Sequence, residues 1–497
     1  MILGKLILLL TITNIKFFRK DRNQMKKILV ALLLVATLLL GCFSMAGCGG
    51  DNKQNFELNE GATYDGSEVE LTFYHTMGAN LRGVLDKYIL KFNELYPNIK
   101  ITHSQVGSYD DVRDKIATEL TVNNQPNIAY CYPDHVALYN LAGGVVTLDE
   151  LISSKAEVKR ADGTTETLGF TDEQIEDFID AYYQEGKEFE GGKMHTLPLS
   201  KSTEVLYYNK TFFDKHGLKV PTTWDEMEAV CKKILEIDPD CIPLGYDSEA
   251  NWFITMTEQL KTPYTSATGD RFLFDTKENQ AFVKRFAEWH NKGYVTTEEI
   301  YGSYTSGLFT NQKEGEARSY MCIGSSAGAS YQRPTKDANG KYPFDVGITT
   351  IPQADASNKK VISQGPSLCI FNGTEQEVLA SFLFVKFLTT NVEFQAEFSM
   401  TSGYVPVIES VADHPVYSQF IKNANGGDNI TALSAKTCLE QKDAYFVSPA
   451  FNGSSEARDQ VGQLLQYCMV QYKTAKDVDA MIDKAFKDAI AECEYMS

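Results

Sequence analysis

The sequence predicts an α/β protein in which two α/β lobes enclose a ligand cleft. Strand-like and helix-like segments alternate between residues 69 and 132, and the alternation resumes along most of the remaining chain. A chain of 497 residues is also too long for one compact core, which favours more than one lobe. Two open sheets that face each other would place their strand ends around a common cleft.

The first five elements follow from hydrophobic periodicity. The stretch VELTFY at 69–74 predicts a strand, and apolar residues at helical spacing between 81 and 92, before Pro97, predict a helix. A second strand is expected at 99–102, a second helix at 110–122 and a third strand at 127–132. This order predicts a parallel sheet with right-handed crossovers.

The later elements follow a polar insertion at 152–192 and the stretch TLPLSKSTEVLYY at 196–208. Thr223, with Glu226 three residues later, predicts a capped helix that continues through Leu235. Further helices are expected at 277–293, 376–389 and 475–493, and further strands at 318–323, 344–351 and 367–371.

The N-terminus has the features of an export signal. Met25 and two lysines give a basic start, and an apolar run at 28–40 precedes small residues. We expect translation to start at Met25 and residues 1–47 to be a signal peptide with a lipobox. Cys48 is the preferred lipidation site and Cys42 the alternative, and an uncleaved signal anchor over 28–47 is a second alternative. Residues 48–65 would form a flexible tether, with the protein anchored by lipid to the outer face of the cell membrane.

Composition and motifs exclude several classes of function. A formal net charge of −19 argues against a nucleic-acid partner. No C-x-x-C, H-E-x-x-H, phosphate-loop or dinucleotide motif occurs, so we expect no metal and no cofactor. Cys231 and Cys241 are close enough in sequence to form a disulfide, and buried free thiols are the alternative.

One motif indicates an enzyme. Residues 324–328 read G-x-S-x-G, the nucleophile-elbow pattern, which would make Ser326 the nucleophile of a secreted serine hydrolase. The segment after Ser326 contains Pro334 and is a poor helix, and only His414 lies downstream as a general base. We therefore expect no catalytic residue, and a surface adhesin or structural lipoprotein is a further alternative.

Four stretches resemble a known family. They are LTFYHTM at 71–77, LPLSKSTEVLYYNKTFFDKHGL at 197–218 followed by VPTTWDEM, SQGPSLCIF at 363–371, and TSGYVPV at 401–407. Their order and spacing resemble family 1 of the extracellular solute-binding proteins of ABC importers, in the carbohydrate and glycerol-3-phosphate branch. The resemblance covers roughly residues 66–495.

The resemblance implies a type II periplasmic-binding-protein fold, in which two lobes close on the ligand by a hinge. Lobe 1 would comprise residues 66–199 and 366–410, and lobe 2 residues 200–365 and 411–497. The implied partners are a small carbohydrate and the transmembrane permease subunits of an ABC importer, and we expect the protein to be a monomer that is not an enzyme.

The resemblance also implies the ligand contacts. Aromatic rings would cover the C–H faces of a sugar, and hydroxyl and carboxyl groups would bind its hydroxyls. The candidate residues are His75, Tyr109, Asp134, Ser202, Trp252, Ser325, Gly365, Tyr404 and Phe451. For Trp252 core packing is the alternative, for Gly365 a turn, and for Asp134 a helix N-cap.

Two departures from the family pattern bear on the ligand. Pro133 stands where glycerol-3-phosphate-binding members have a glutamate, and Ala450 and Phe451 stand where they have a phosphate-binding arginine. The nearest arginine downstream is Arg458. Because phosphate recognition usually needs an arginine or several N–H donors, these departures favour a sugar or oligosaccharide over glycerol phosphate or a glycerophosphodiester.

Overall fold

The computed structural model describes residues 56–189, 191–313 and 315–496. Its strands are β1 (Val69–His75), β2 (Ile99–Gln105), β3 (Ile128–Cys131), β4 (Glu157–Lys159), β5 (Thr165–Thr167), β6 (Leu197–Pro198), β7 (Ser202–Asn209), β8 (Leu244–Tyr246), β9 (Val295–Thr297), β10 (Met321–Ser325), β11 (Val346–Thr350), β12 (Val361–Gln364), β13 (Ser367–Ile370) and β14 (Tyr445–Phe446). The predicted α/β class is confirmed.

The helices form the layers around the strands. They are α1 (Ala79–Leu95), α2 (Tyr109–Leu120), α3 (Pro133–Asn140), α4 (Asp149–Ser153), α5 (Asp172–Asp177), α6 (Asp180–Gln184), α7 (Lys210–His216), α8 (Trp224–Ile237), α9 (Glu249–Leu260), α10 (Lys277–Asn291), α11 (Glu298–Tyr301), α12 (Ser306–Thr310), α13 (Glu375–Thr390), α14 (Val392–Ser402), α15 (Pro415–Lys422), α16 (Ile430–Glu440), α17 (Ser454–Gln471) and α18 (Val478–Met496). None of the described helices is long and apolar enough to cross a membrane.

The first sheet has the strand order β2-β1-β3-β13-β6. Strands β1, β2 and β3 are parallel, as the sequence predicts, whereas β13 is antiparallel to both β3 and β6. Each strand of the parallel trio buries apolar side chains, and α1 and α13 cover the sheet through buried residues such as Phe92 and Phe384. This packing defines the first core.

The second sheet has the order β14-β12-β7-β10-β8-β9, with β11 also paired to β7. Strands β10, β8 and β9 are parallel to one another, whereas β7 is antiparallel to β10, β11 and β12. Trp224, Trp252 and Trp289 lie in a second core together with α9, α10, α17 and α18. The two sheets therefore have separate cores.

Short connections join the two sheets. The chain passes from β6 in the first sheet to β7 in the second through residues 199–201, and returns from β12 to β13 through residues 365–366. A third segment lies against the first, because the backbone groups of Lys201 and Val405 exchange two hydrogen bonds of 3.1 and 2.7 Å. The predicted lobe boundaries stay a prediction that these connections support.

The segments that differ from the predictions differ because of tertiary contacts. Residues 56–65, predicted to be part of a flexible tether, lie against the first core, where Tyr64 is buried and Phe56 and Leu58 pack at the edge. The polar insertion at 152–192 buries Phe170 and Phe178 in the same core. The predicted signal peptide and both lipidation candidates, Cys42 and Cys48, lie outside the described residues.

Candidate functional site

The carboxyl ends of β1, β2 and β3 meet at one edge of the first sheet, where ligands bind in open α/β sheets. Tyr132 follows β3, and Asp134 lies in the first turn of α3. Tyr109 begins α2, whose start is fixed by a capping box between Ser108 and Asp111. Local sequence thus positions three polar side chains at this edge.

A cluster of tyrosines forms the wall of the site on this side. The ring of Tyr109 stacks on that of Tyr132 with centroids 4.7 Å apart, and its hydroxyl lies 3.4 Å from the hydroxyl of Tyr404. Burial, with the neighbouring tyrosines, raises the pKa of Tyr109 well above its usual range. The phenols are therefore neutral hydroxyls at physiological pH, able to donate and to accept hydrogen bonds.

A pocket opens beside this cluster and is lined from both sheets. The first half of the chain contributes Tyr132, Asp134 and Glu185, and the second half contributes Tyr264, Gln364 and Arg458. Ile254, Ile362 and Pro449 supply apolar surface. A concave site with apolar walls and a few convergent polar groups is the usual form of a small-molecule site.

The two carboxylates of the pocket already have protein partners. Glu185 forms an ion pair of 2.8 Å with Lys201, and both side chains are almost completely buried. Lys201 also donates to the hydroxyl of Ser367 at 3.2 Å, so this pair connects the first crossing segment to β13. Asp134 accepts a 3.1 Å hydrogen bond from Ser455, which begins α17 with Ser454.

Arg458 provides the positive charge of the pocket. Its guanidinium donates a hydrogen bond to the side-chain oxygen of Asn251. Within the described part of the chain, no carboxylate forms an ion pair with Arg458, so the cation is free to bind a ligand group. The sequence suggests that the site lacks an arginine, but the structure shows one there, because α17 places Arg458 in the lining of the pocket.

Glu204 lies in β7, near the charge of Arg458, and is almost fully buried. Its carboxyl accepts a 2.6 Å hydrogen bond from the hydroxyl of Tyr246. Burial raises the pKa of Glu204 to about 7, although hydrogen bonds from Tyr246 and Asn251 oppose the shift. Perturbed carboxyl groups beside a pocket are typical of functional sites.

Several predicted contacts lie along the neighbouring edge of the second sheet. Ser325 ends β10, and its hydroxyl is 3.4 Å from that of Ser202, the first residue of β7. Gly365 has φ +95°, and an added Cβ would lie 2.5 Å from the carbonyl oxygen of Ser200. Close backbone packing at the crossing segments therefore explains this glycine without a ligand.

Three predicted contacts are buried outside the pocket lining. Trp252 has no exposed surface, and its ring stacks on Tyr246 and Phe286 with centroids 4.6 and 4.0 Å away. This position matches the core-packing alternative, because α9 is buried on nearly all sides.

His75 is equally buried, and its ring nitrogen lies 2.8 Å from that of His103. Burial lowers the pKa of His75 to about 3, so the ring is neutral. Phe451 is 6 % exposed and packs near Phe272. These placements argue against direct ligand contacts by either residue.

Ser326 has a structural environment. The residue is fully buried, and its hydroxyl accepts a 3.3 Å hydrogen bond from the backbone N–H of Thr203. Its carbonyl oxygen accepts a 2.8 Å bond from Ser434. A nucleophile elbow exposes its serine, so this geometry contradicts the hydrolase alternative at Ser326. Cys231 and Cys241, the predicted disulfide candidates, are buried free thiols.

Sequence reasoning missed Glu185, Glu204, Tyr264 and Gln364. Glu204 carries a readable signal, because it is a lone carboxylate followed by apolar residues within a strand. Glu185 lies in the polar insertion, which contains many acidic residues, so nothing in the sequence distinguishes Glu185 from the others. Only packing of that insertion against the second sheet brings Glu185 to the pocket.

Comparisons with known proteins agree with this architecture. A family model described as bacterial extracellular solute-binding protein matches residues 87–425. The sn-glycerol-3-phosphate-binding periplasmic protein UgpB of Escherichia coli K12 is 24 % identical over 389 residues, covering 73 % of this chain and 79 % of that protein.

Solved structures show the same fold. UgpB from Mycobacterium tuberculosis in complex with glycerophosphocholine has a TM-score of 0.67 at 15 % identity, covering 86 % of this chain and 98 % of that one. The cyclic α-maltosyl-1,6-maltose binding protein from Arthrobacter globiformis has a TM-score of 0.64 at 19 % identity, with 86 % and 100 % covered. The predicted fold and family are confirmed: the chain belongs to the bacterial extracellular solute-binding protein family.

Proposed function

We propose that this protein captures a sugar or oligosaccharide in the cleft and delivers it to the permease subunits of an ABC importer. The carrying observation is the pocket that both sheets line with tyrosines and hydrogen-bonding groups at their strand ends. Tyr109, Tyr132 and Tyr404 offer apolar ring faces together with neutral hydroxyls. Such groups suit a solute with C–H faces and many hydroxyls.

Capture by closure of two lobes is part of the proposal. Lobe 1 would comprise residues 66–199 and 366–410, and lobe 2 residues 200–365 and 411–497. The connections between the sheets are short and converge on Lys201, whose ion pair with Glu185 lies at the pocket. Few connecting residues would have to change conformation for the lobes to open, which is the usual requirement for a hinge.

Arg458 favours a second candidate function, the binding of glycerol 3-phosphate or a glycerophosphodiester. A guanidinium without a carboxylate partner, within a pocket, is a common phosphate-binding group. UgpB relatives and the glycerophosphocholine complex give this candidate further support.

The location and assembly belong to the same proposal. A lipid on Cys48, or alternatively Cys42, would hold the protein at the outer face of the membrane, where a captured solute meets the importer. We expect a monomer that releases its solute unchanged, with no catalytic residue and no cofactor.

A thermal-shift screen of the chain from residue 49 onward tests the proposal. The ligands are monosaccharides, oligosaccharides, sn-glycerol 3-phosphate and glycerophosphocholine. A bound solute at 100 times its Kd stabilises the folded state by about 2.7 kcal/mol, so the binding class should raise the melting temperature. Tyr109→Ala should abolish the shift, and Tyr495→Ala, on the exposed end of α18, serves as the control.

The outcomes separate the candidates. Stabilisation by saccharides that survives Arg458→Met supports the sugar function. Stabilisation by the phosphate ligands alone, lost in Arg458→Met, replaces it by the second candidate. Chemical conversion of any of these ligands by the purified protein would contradict the binding function altogether.

A further inference from the structure

A second group of side chains lines the edge of the second sheet beyond the pocket. Strands β8, β9 and β10 are parallel, and their register places Tyr246 beside Thr297 and Ile323. Asp247 and Glu298, the next residues, therefore lie side by side at the carboxyl ends of their strands. This is the edge of an open sheet at which ligands bind.

The second group is continuous with the pocket. Arg458 of the pocket contacts Asn251, and Asn251 hydrogen-bonds towards Glu204. Glu204 pairs in register with Ser325 at the end of β10. One step further along the sheet, Asp247 lies so close to Gly324 that an added Cβ there would be 2.6 Å from its carboxylate oxygen.

Two exposed tyrosines border this edge. Tyr304 exposes 66 % of its surface and Tyr331 exposes 75 %. The position of Tyr304 is fixed by its neighbour, because the backbone N–H and hydroxyl of Thr305 donate to Asp247 at 2.7 and 2.6 Å. Tyr331 lies on the 3₁₀ turn Ser326–Gln332, which directly follows β10.

Tyr304 and Tyr331 lie on elements that pack together, because α12, which follows Thr305, contacts the 3₁₀ turn. Burial, and then the charges of Glu298, Asp247, Tyr404 and Tyr331, raise the pKa of the Tyr304 hydroxyl. The 3₁₀ turn also borders the tyrosine cluster, because an added Cβ on Gly403, next to Tyr404, would lie 3.1 Å from the carbonyl oxygen of Ser326.

Glu298 differs from Asp247 in the hydrogen bonding of its carboxyl group. It is half-buried, and among the described residues its carboxyl has no hydrogen-bond or ion-pair partner, in contrast to Asp247, which Thr305 satisfies. Burial, with the charges of Asp247, Glu249 and Glu299, raises the pKa of Glu298 to about 8. A half-buried carboxyl group without a partner is unfavourable, and a solute hydroxyl would supply one.

We propose that Glu298, Tyr304 and Tyr331 form an outer subsite for a second sugar ring, so that the solute is an oligosaccharide of at least two units. The inference rests on the proposed sugar-binding function and adds the size of the ligand. The tyrosine rings cover C–H faces of the outer ring, and Glu298 exchanges hydrogen bonds with its hydroxyls. The inner ring occupies the pocket beside Tyr132 and Asp134.

Calorimetric titrations with defined saccharides test the subsite. The first series is glucose, maltose and maltotriose, the second is glucose, cellobiose and cellotriose, and the third is xylose and xylobiose. In the series that binds, the disaccharide should bind at least about tenfold more tightly than its monosaccharide. Each of Tyr304→Ala and Glu298→Ala should lower this ratio of affinities by about tenfold, whereas Tyr495→Ala, at an exposed tyrosine on α18, should preserve it.

The results distinguish failure of the subsite from failure of the function. Equal affinity for monosaccharide and disaccharide, or an unchanged ratio in both variants, overturns the outer subsite and leaves sugar binding in place. If no saccharide binds and sn-glycerol 3-phosphate or glycerophosphocholine does, the sugar function and the subsite fail together.

Discussion

At the residue scale, Glu204 combines a readable sequence signal with an environment that the sequence does not show. A carboxyl group before the apolar run Val205–Tyr207 stands out in the sequence. The structure buries it against Tyr246 and near Arg458, and burial favours the protonated form. Its ionisation is therefore linked to folding.

This linkage gives a pH prediction for Glu204. Because the pKa is raised from an ordinary 4.5 to about 7, the folded protein holds a proton that the unfolded chain has released. As the pH rises from about 4.5 to about 7, the free energy of unfolding should therefore fall by up to about 3 kcal/mol.

Urea unfolding at about pH 5 and pH 8 measures this difference. Glu204→Gln, which keeps an acceptor for Tyr246 and cannot ionise, should reduce it by up to about 3 kcal/mol, and the remainder belongs to other buried carboxyl groups such as Glu298 and Asp459. Glu70→Gln, on the exposed side of β1, is the matched control and should retain it. The same pH difference in all three proteins would show that Glu204 does not ionise differently in the folded state.

Trp252 gives a second residue-scale prediction. Since its ring fills space between Tyr246 and Phe286, Trp252→Phe should lower the free energy of unfolding by about 2 kcal/mol. Affinity for the solute, measured well below the melting temperature, should stay unchanged. A loss of affinity without a loss of stability would contradict the packing role and indicate that Trp252 contacts the solute.

At the element scale, helix starts are the most predictable features. The capping box of Thr223 and Glu226 is local, so the sequence predicts the start of α8 correctly. The helices α15, α16 and α17 have no comparable side-chain capping box at their starts, and the sequence does not predict them. The predicted strand at 318–323 begins later, at Met321, because Arg318 pairs with Asp238 instead of continuing β10.

The cap of α8 carries the element-scale prediction. Thr223→Ala removes the hydroxyl that accepts the Glu226 N–H at 3.2 Å and should destabilise the protein by about 1 kcal/mol. Thr223→Ser keeps the hydroxyl and should be close to the parent protein. Chemical unfolding of the three proteins checks this order, and equal stability of the alanine and serine variants would contradict a role for the cap.

At the scale of the whole molecule, one ion pair joins the two halves near the pocket. Arg113 on α2 lies 3.3 Å from Asp459 on α17, next to the Asp134–Ser455 hydrogen bond. Arg113 also pairs with Asp114 within α2, at 2.8 Å. Helix α2 packs on the first sheet and α17 in the second core, so the Arg113–Asp459 pair would favour a closed arrangement of the two proposed lobes.

Opening of the two proposed lobes should therefore be promoted by substitution of Asp459 and not by substitution of Asp114. Asp459→Asn should increase the radius of gyration of the solute-free protein in small-angle X-ray scattering, whereas Asp114→Asn, which removes a pair within one helix, should not. Burial raises the pKa of Asp459 to about 6, although the charge of Arg113 opposes the shift, so the pair is fully charged only above that pH. The scattering comparison is therefore made above about pH 7, where the Arg113–Asp459 pair is charged.

An identical radius for the parent protein and both variants at neutral pH would contradict the proposed closing contact. The coupling between Arg113 and Asp459 is expected to be about 1 kcal/mol, as for partly exposed pairs. A double-mutant cycle with Arg113→Met measures it.

The sequence by itself determined the α/β class, the parallel start of the first sheet, the capped start of α8 and the family. These depend on periodicity and on short motifs, which are local. It also predicts Tyr109, Asp134 and Tyr404 as ligand contacts, and these stay predictions. The structure places Asp134 in the pocket and brings the hydroxyls of Tyr109 and Tyr404 within 3.4 Å of each other.

Only the tertiary structure decided which polar groups share the pocket. Arg458 and Glu185 are more than 270 residues apart in the chain, and only the packing of the two halves brings them to one cavity. The same packing buries Trp252 and Ser326, whose local sequence suggested exposed functional roles. The physical reason is that burial and charge partners depend on contacts distant in sequence, which local patterns do not encode.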